Sequence, residues 1–539
     1  MRIDVKNKIE TALKKIITDF KKKDVDFNVL PVEKEEFGDF YTNLAFRLSD
    51  KENPAEKIAQ NIKEKLIPFL KGIVKKIEVK NGFINFFIDE NVYRDNVLKI
   101  FNSGREYLKE NIGNGKKVLI EFVSANPTGP LTIAHGRQAA YGESLSRILK
   151  FSGFDVTKEY YINDGGRQME LLGESLKARY YQLKGLDYKI PDEGYFGEYL
   201  IEIAKKLKEV KDEKKFFIEF ASSEILKDIK KDLERFGVVF DSWIRESMFI
   251  EESHVKKVLN FLKEKNLIYE KEGSLWFKSS LFGDDKDRVV IKSDGNYTYL
   301  ATDIAYHKYK IDRGYHILIN IVGPDHHGYI PRLRASLLSL GFNPENFVIL
   351  IVQLTTLYRG KEKISMSTRK GQFITLKQLM DEIGPDASKF FFLFRKIDSH
   401  LDFDIEIAKK QSTENPVYYL QYAYVRLKHL IEFGKEKGYI LESYNGHIDL
   451  LEKEEEIEIM KKIWKFNDII KSVVNTYGVH LLAEYLLEIS KLFHSYYQKY
   501  RIVGEEKELT YARLVLIKSL LTIFELSLSL LNISLPEKM

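Results

Sequence analysis

One stretch constrains this chain more than any other: residues 121–137, EFVSANPTGPLTIAHGR. The apolar run Val118-Leu119-Ile120 leads into it and reads as a strand buried on both faces, the pattern of a parallel sheet. Ser124, Ala125, Asn126, Pro127, Gly129 and Pro130 then turn the chain. Over 134–150 the apolar residues recur at helical spacing, with Leu145, Ile148 and Leu149 on one face, and a second strand starts at Val156. Such a strand–turn–helix–strand unit sets a helix N-terminus at the carboxyl edge of a sheet, where free N–H groups and the helix dipole favour an anion. His135 falls in the first turn of that helix. The stretch contains neither GxxxxGK nor GxGxxG, so it is not a Walker loop or a dinucleotide fingerprint. Taken alone, it reads equally well as an ordinary strand–helix turn with an incidental histidine.

A second polar stretch, GKEKISMSTRKG at 360–371, sets Lys361, Lys363, Arg369 and Lys370 around Met366-Ser367. Thr375 with Gln378 makes a capping box just beyond it, and Gly384-Pro385 ends that helix. A basic loop ahead of a helix suits a polyphosphate that is gripped and then released; a solvated basic loop is the alternative.

Composition decides what to exclude. The 539 residues include no cysteine, which removes disulfides, thiol chemistry and thiolate metal sites. The 85 basic and 80 acidic residues leave a net charge of only +5, so a polyanionic partner must be met by local patches. Asp325, His326 and His327 invite a metal reading, but adjacent residues on one turn seldom share an ion. The most apolar segment, 514–533, is interrupted by Lys518 and Glu525, which favours a packed helix over a membrane span.

The length suits about two to four domains, and the expected class is α/β. Residues 1–90 read as a small α/β unit, with helices over 5–20, 42–48 and 54–66 and a hairpin turn at Asn81-Gly82. Residues 115–395 read as a Rossmann-like parallel-sheet domain carrying a helical insertion over 170–285. Within it, short strands are expected at 288–292 and 297–300, then a helix over 301–309 with Asp303 in its first turn. The polar run 161–168, YINDGGRQ, either lines a site or caps a helix. Residues 400–539 read as an all-α bundle with no strand, its helices at 416–433, 454–475, 479–500 and 508–532.

The two polar stretches together resemble the HIGH and KMSKS signatures of class I aminoacyl-tRNA synthetases. SANPTGPLTIAHGRQAA, YINDGGRQM, VGPDHHGY, SMSTRKGQFITL and NPVYYLQYAYVR are similar to segments of arginyl-tRNA synthetases, as are EFGDFYTNLAFRL and FHSYYQKY near the two ends. The resemblance spans essentially the whole chain. It implies an arginine–tRNA ligase that forms arginyl-adenylate from L-arginine and ATP and passes the arginyl group to the 3′ end of tRNA(Arg). It further implies Mg²⁺ carried on the phosphates, no metal ligand from protein side chains, no zinc, no membrane, a monomer and a cytoplasmic location.

The implied ATP site is Pro127, Thr128, Gly129, Pro130, Leu131, Thr132, Ile133, Ala134, His135 and Gly136, with Lys363, Met366, Ser367, Arg369 and Lys370. Thr132, His135, Met366, Ser367 and Lys370 are its catalytic members. The implied arginine site is Glu121, Ser124, Asn126, Tyr299, Asp303 and His326. The bundle would meet tRNA through Tyr418, Tyr422, Arg426, Tyr497 and Arg501, and the N-terminal unit would touch the outer corner of the tRNA. Two departures stand out: Thr132 occupies the place of the usual first histidine, and Ser365 and Thr368 occupy those of the usual lysines. They motivate one alternative, a catalytically inactive tRNA-binding protein on the same fold.

Overall fold

The computed structural model describes all residues except 1, 21–24, 33, 209, 211–212, 252, 365–373 and 445. Its centre is a five-stranded parallel sheet: β1 (Lys117–Glu121), β2 (Asp155–Ile162), β3 (Ser242–Arg245), β4 (Ile317–Val322) and β5 (Phe347–Ile351), in spatial order β5-β4-β1-β2-β3. The chain runs outward from β1 to β3, then returns to lay β4 on the other edge of β1. That reversal opens a crevice beyond the carboxyl ends of β1 and β4, the place where sheets of this kind bind ligands. Val118, Leu119 and Ile120 are all buried, as strands covered on both faces require.

Helix α1 (Ile133–Phe151) makes the crossover from β1 to β2, followed by α2 (Gly166–Leu183), α3 (Lys214–Arg235), α4 (Tyr299–Asp312) and α5 (Leu376–Ile383). Gly142 lets α1 close on the sheet, because a Cβ there would lie 2.4 Å from the Phe122 ring. The buried Arg137 guanidinium donates to the carbonyls of Gln353, Lys396 and Ser399 at 2.9–3.0 Å.

The C-terminal bundle is α6 (Pro416–Glu436), α7 (Glu454–Thr476), α8 (His480–Lys499) and α9 (Lys507–Leu530). Its interior holds a polar knot in which Glu456 accepts from Arg513 and Tyr496, both at 2.9 Å. The Tyr141 hydroxyl fastens α1 to the bundle: it donates to Tyr477 O at 2.5 Å and accepts from the Val479 N–H at 3.2 Å. At the other end of the chain, a four-stranded antiparallel sheet with two covering helices, Arg2–Ile17 and Ala55–Leu66, forms a separate small unit. Phe40 and Tyr93 pack against Trp464 of α7, with ring centroids 6.0 and 5.2 Å away. Beside them Asp39 faces Lys461 at 3.3 Å.

Several expectations need correction. The stretch 170–285 is not simply a helical insertion: it supplies β3 and the hairpin Ile268–Lys271/Ser274–Phe277, which Arg288–Ile291 extends to three strands. Four-residue strands between long amphipathic helices leave too few positions to show a period of two. Residues 297–300 are not a strand. Only Tyr297 bridges Ile291, Thr298 stands at the N-cap, and the helix begins at Tyr299, so Asp303 lies in its second turn. The C-terminal region is not free of strand, because Leu401–Asp404 pairs in parallel with Thr355–Arg359 and buries Leu401 and Phe403 alternately. Gly384 ends α5 with φ 81°, and Pro385 opens the next helix, Pro385–Leu393. Among the described residues no helix is long and apolar enough to cross a membrane.

Candidate active site

The turn after β1 begins with two residues in the left-handed region, Val123 (φ 67°) and Ser124 (φ 39°). That is an outlier for a β-branched side chain, held by its surroundings. Ser124 Oγ accepts from the Tyr161 N–H at 3.1 Å and donates to Glu121 Oε1 at 3.2 Å. Glu121 Oε2 meets the fully buried Lys310 ammonium at 2.5 Å, and Lys310 also reaches Asn320 Oδ1 at 3.3 Å. One polar layer therefore ties β1, β2, β4 and α4 together. Both Glu121 oxygens are engaged, so this carboxylate braces the crevice rather than offering an open acceptor.

At the corner that follows the β1 turn, Thr132 is the N-cap of α1. Its backbone N–H donates to His135 Nδ1 at 3.1 Å, and its hydroxyl lies 3.2 Å from the same nitrogen. Accepting that N–H leaves the ring hydrogen on Nε2. Burial pushes the imidazole down to about 4, so it is neutral at physiological pH and presents one N–H donor. Thr132 also forms an isolated antiparallel bridge with Thr375, and the Leu376 N–H donates to Leu131 O at 2.8 Å. Thr375 caps α5 in the expected box, with Gln378 N–H to Thr375 Oγ1 at 3.0 Å and Thr375 N–H to Gln378 Oε1 at 2.8 Å. The N-termini of α1 and α5 thus lie side by side. Gly136 permits it, since a Cβ there would sit 2.7 Å from Leu376 Cδ1.

Around this corner Pro127, Leu131 and Ile133 are buried, Thr128, Gly129 and Pro130 are half-buried, and Ala134 is exposed. The Tyr199 hydroxyl closes the turn from outside by donating to Thr128 O at 2.5 Å. Lys363 is exposed on the short strand Glu362–Lys363. Met366, Ser367, Arg369 and Lys370 lie outside the described residues.

The other end of the crevice is acidic. Asp303 on α4 accepts from the Tyr329 hydroxyl at 2.5 Å. Burial, and then the charges of Glu246 and Glu121, push its carboxyl up to about 7, against the opposing pull of that hydrogen bond. Burial also raises Glu246, which accepts from Thr302 Oγ1 at 3.2 Å. Asp164 gathers the Ser247 N–H and hydroxyl, both at 2.9 Å, and Arg245 at 3.1 Å. The Tyr161 ring lies among these carboxylates, stacked on Tyr306 with centroids 4.6 Å apart.

Tyr299 stands one turn before Asp303 on the same face of α4, 67% exposed, with its hydroxyl over Gly166. Asn126 donates to Gln168 Oε1 at 2.7 Å. His326 is exposed on the 3-10 turn Pro324–Tyr329, the same turn that delivers Tyr329 to Asp303. Glu246, Lys310 and Tyr199 carried no signal in the sequence; Tyr329 closes the segment VGPDHHGY, but that segment assigned it no role. Tyr161, Asp164 and Gln168 lay in the polar run 161–168, where site lining and capping were both open.

On the bundle, the Arg426 guanidinium is held between the rings of Tyr422 and Tyr497, at 4.3 and 4.4 Å. Tyr418 stacks on Tyr422 at 6.2 Å. Arg501 does not join them: it lies past the end of α8, where the chain turns and its Nε donates to Val503 O at 3.1 Å.

Three family descriptions match the chain: "tRNA synthetases class I (R), catalytic domain" over 96–391, "DALR anticodon binding domain" over 420–539, and "Arginyl tRNA synthetase N terminal domain" over 4–88. The chain is 41% identical to the arginine–tRNA ligase of Anoxybacillus flavithermus over 534 residues, covering 96% of this chain and 95% of that one. It is 40% identical to the arginine–tRNA ligase of Aquifex aeolicus over 585 residues, covering 99% of each. Among solved structures, the arginyl-tRNA synthetase of Thermus thermophilus superposes with a TM-score of 0.76 at 19% identity, over 99% of this chain and 100% of that one. At that identity the likeness speaks for the fold.

Proposed function

This chain belongs to the arginyl-tRNA synthetases of class I, and from that premise we propose that it activates L-arginine with ATP and transfers the arginyl group to the 3′ end of tRNA(Arg) in the cytoplasm. The observation that carries the reading is the carboxyl edge of one parallel sheet with two unlike polar clusters at it. Neutral N–H donors converge at one end, where the bridge between Thr132 and Thr375 joins two helix N-termini, and carboxylates gather around Asp303 at the other. An ATP phosphate chain fits the first and a guanidinium the second.

In the first step an arginine carboxylate oxygen attacks the α-phosphorus, and the bond from that phosphorus to the pyrophosphate oxygen breaks. Phosphoryl transfer asks for position and charge stabilisation rather than covalent help. His135 donates from Nε2 to a phosphate oxygen, and the backbone N–H groups at the N-terminus of α1 add theirs. Thr132 orients His135 from behind. Lys363, Met366, Ser367, Arg369 and Lys370 take the opposite side of the triphosphate. Mg²⁺ would be carried on the phosphates, where it would neutralise their charge; the backbone and imidazole N–H donors of this corner suit phosphate oxygens rather than a cation.

Asp303 in its ionised form receives the guanidinium, a planar group with five donors, and Tyr299 shares the contact. Asn126 and His326 hold the α-amino end, while Ser124 and Glu121 keep the turn in shape. In the second step a hydroxyl of the terminal ribose attacks the activated carbonyl carbon and AMP leaves. Tyr418, Tyr422, Arg426 and Tyr497 offer rings and charge to unpaired anticodon bases. The small N-terminal unit meets the outer corner of the tRNA.

The test is exchange of labelled pyrophosphate into ATP, with and without tRNA(Arg), followed by charging of that tRNA. Arginine-dependent exchange and arginyl-tRNA formation, with lysine and citrulline inert, are the expected results. Absence of both, with arginine, ATP, Mg²⁺ and tRNA(Arg) present, overturns the reading.

A further inference from the structure

The outer edge of the parallel sheet carries a cleft of about 410 Å³ that the function proposed above does not use. β3 is the edge strand, and the cleft lies between it, α3 and the short helix Glu246–Glu251. Its floor is apolar: Ile162 and Leu226 are buried, and Trp243 is half-buried beside them. Lys227, Lys230, Arg245 and Glu251 stand exposed around the mouth. Helical spacing puts Leu226, Lys227 and Lys230 on one face of α3, so that face brings both the apolar floor and two like charges to the cleft. An apolar hollow ringed by a few polar groups is the form of a small-molecule site.

The three cations have little to give up. Lys230 pairs with no carboxylate among the described residues; its ammonium lies 4.5 Å from the centre of the Trp243 ring. Lys227 pairs with Glu224 at 2.6 Å, three residues back on the same exposed helix face, and Glu224 keeps Lys206 at 2.8 Å. Surface pairs of that kind are weak. Arg245 holds Asp164 through Nη1 at 3.1 Å, and a guanidinium has further N–H donors to offer. We propose that this cleft binds a nucleoside phosphate. The phosphate meets Lys227, Lys230 and Arg245. The base lies on Ile162, Leu226 and the edge of Trp243, whose face is already stacked on Tyr160 at 4.3 Å. Glu251 sets the base: a carboxylate accepts N–H donors, and guanine presents N1–H and the N2 amino group side by side. The volume is more than a bare phosphate fills, and the apolar floor offers such an ion nothing.

The experiment is equilibrium dialysis of labelled GMP against the full chain, with ATP and Mg²⁺ saturating and arginine absent, so that the nucleotide corner is filled. One saturable site is expected. Lys230→Gln should weaken it about tenfold or more, the scale of one charge-assisted hydrogen bond, with an unchanged melting temperature. Glu251→Gln should weaken GMP by a similar factor without weakening labelled inorganic phosphate. Absence of saturable binding, displacement of GMP by ATP, or GMP binding indifferent to either substitution overturns the proposal. Inorganic phosphate bound as tightly as GMP overturns it too, by making the mouth a simple anion patch. So does displacement of GMP by tRNA(Arg) together with an equal loss of tRNA affinity in Lys230→Gln, which would make the cleft part of the tRNA surface. Binding is read without turnover, so the result stands whether or not the chain charges tRNA(Arg).

Discussion

The role proposed for Asp303, receiving the arginine guanidinium, can be tested by pH. Its carboxyl titrates at about 7, against roughly 3.9 for an unperturbed aspartate. Between those values the folded protein holds a proton that the unfolded chain has released. The group therefore costs stability as pH rises from about 4 to about 7, with a ceiling of ~4 kcal/mol at about 1.4 kcal/mol per pH unit. Bound arginine reverses the sign, because the guanidinium needs the ionised carboxylate. At pH 6 about one pocket in ten is ionised without ligand, so the Kd for arginine should be about tenfold weaker than its plateau above pH 8.

Asp303→Asn separates the two effects. The ligand-free variant should melt higher than the wild type at pH 8. Its arginine affinity should fall about 10²–10³-fold, as expected when one partner of a buried charge pair is removed, and it should lose the slope between pH 6 and 8. Calorimetric titration of arginine from pH 5.5 to 8.5, with melting curves on the same samples, reads both. A wild-type affinity that is flat from pH 6 to 8, or an Asn variant that keeps the slope, refutes the reasoning.

Three further outcomes follow from the same geometry. His135→Ala should slow pyrophosphate exchange about 10²–10³-fold, and with arginine saturating, so that Asp303 does not contribute, the wild-type rate–pH profile should show no imidazole inflection between pH 5.5 and 8, since that ring titrates at about 4. Gly136→Ala places a methyl 2.7 Å from Leu376 Cδ1 and 3.1 Å from Phe392; denaturant unfolding should show a loss of about 1–3 kcal/mol, and the KM for ATP should rise as α5 is pushed from α1. Arg426→Ala frees the rings of Tyr422 and Tyr497 from their shared cation, so steady-state charging should show a raised KM for tRNA and an unchanged KM for arginine.

What could be read from the sequence was whatever repeats or follows local rules. The bundle helices show a sustained 3.6-residue period, and three of the four lie within a residue or two of their expected bounds, while α6 runs three residues further at its end. Thr375 with Gln378 works locally, and so does the turn that follows Val118-Leu119-Ile120. What could not be read depends on tertiary context. No turn residue announces that Val123 and Ser124 take left-handed conformations; the Ser124 hydroxyl is held by the Tyr161 N–H of the neighbouring strand and by Glu121 three residues before it. Glu246 sits on the short helix Glu246–Glu251 with no motif around it, and only the fold carries it to Thr302. Lys310 looks like one more lysine on an amphipathic helix until β1 and β4 close over it.

The substitution at Thr132 shows how structure changes the weight of a sequence difference. As a letter, threonine in place of histidine leaves a hydroxyl donor at this corner but removes a side chain able to carry charge. In three dimensions most contacts at this position belong to the backbone. The N–H orients His135, the carbonyl accepts from the Gly136 N–H at 3.0 Å, and the extended backbone bridges Thr375. A position held through its main chain tolerates a change of side chain, provided the new one suits an N-cap, and threonine does. The loss is confined to a ring that could take a charge, and His135, itself neutral, keeps its orientation. The described corner therefore supplies dipoles rather than full charge, and the sequence concentrates the cations Lys361, Lys363, Arg369 and Lys370 in the stretch that leads to Thr375. On the function proposed above, neutralising the departing pyrophosphate would fall to that stretch. On the same reading the large electrostatic effect of the described site lies at its other end, where a guanidinium would meet Asp303, a carboxyl that burial has made reluctant to ionise alone.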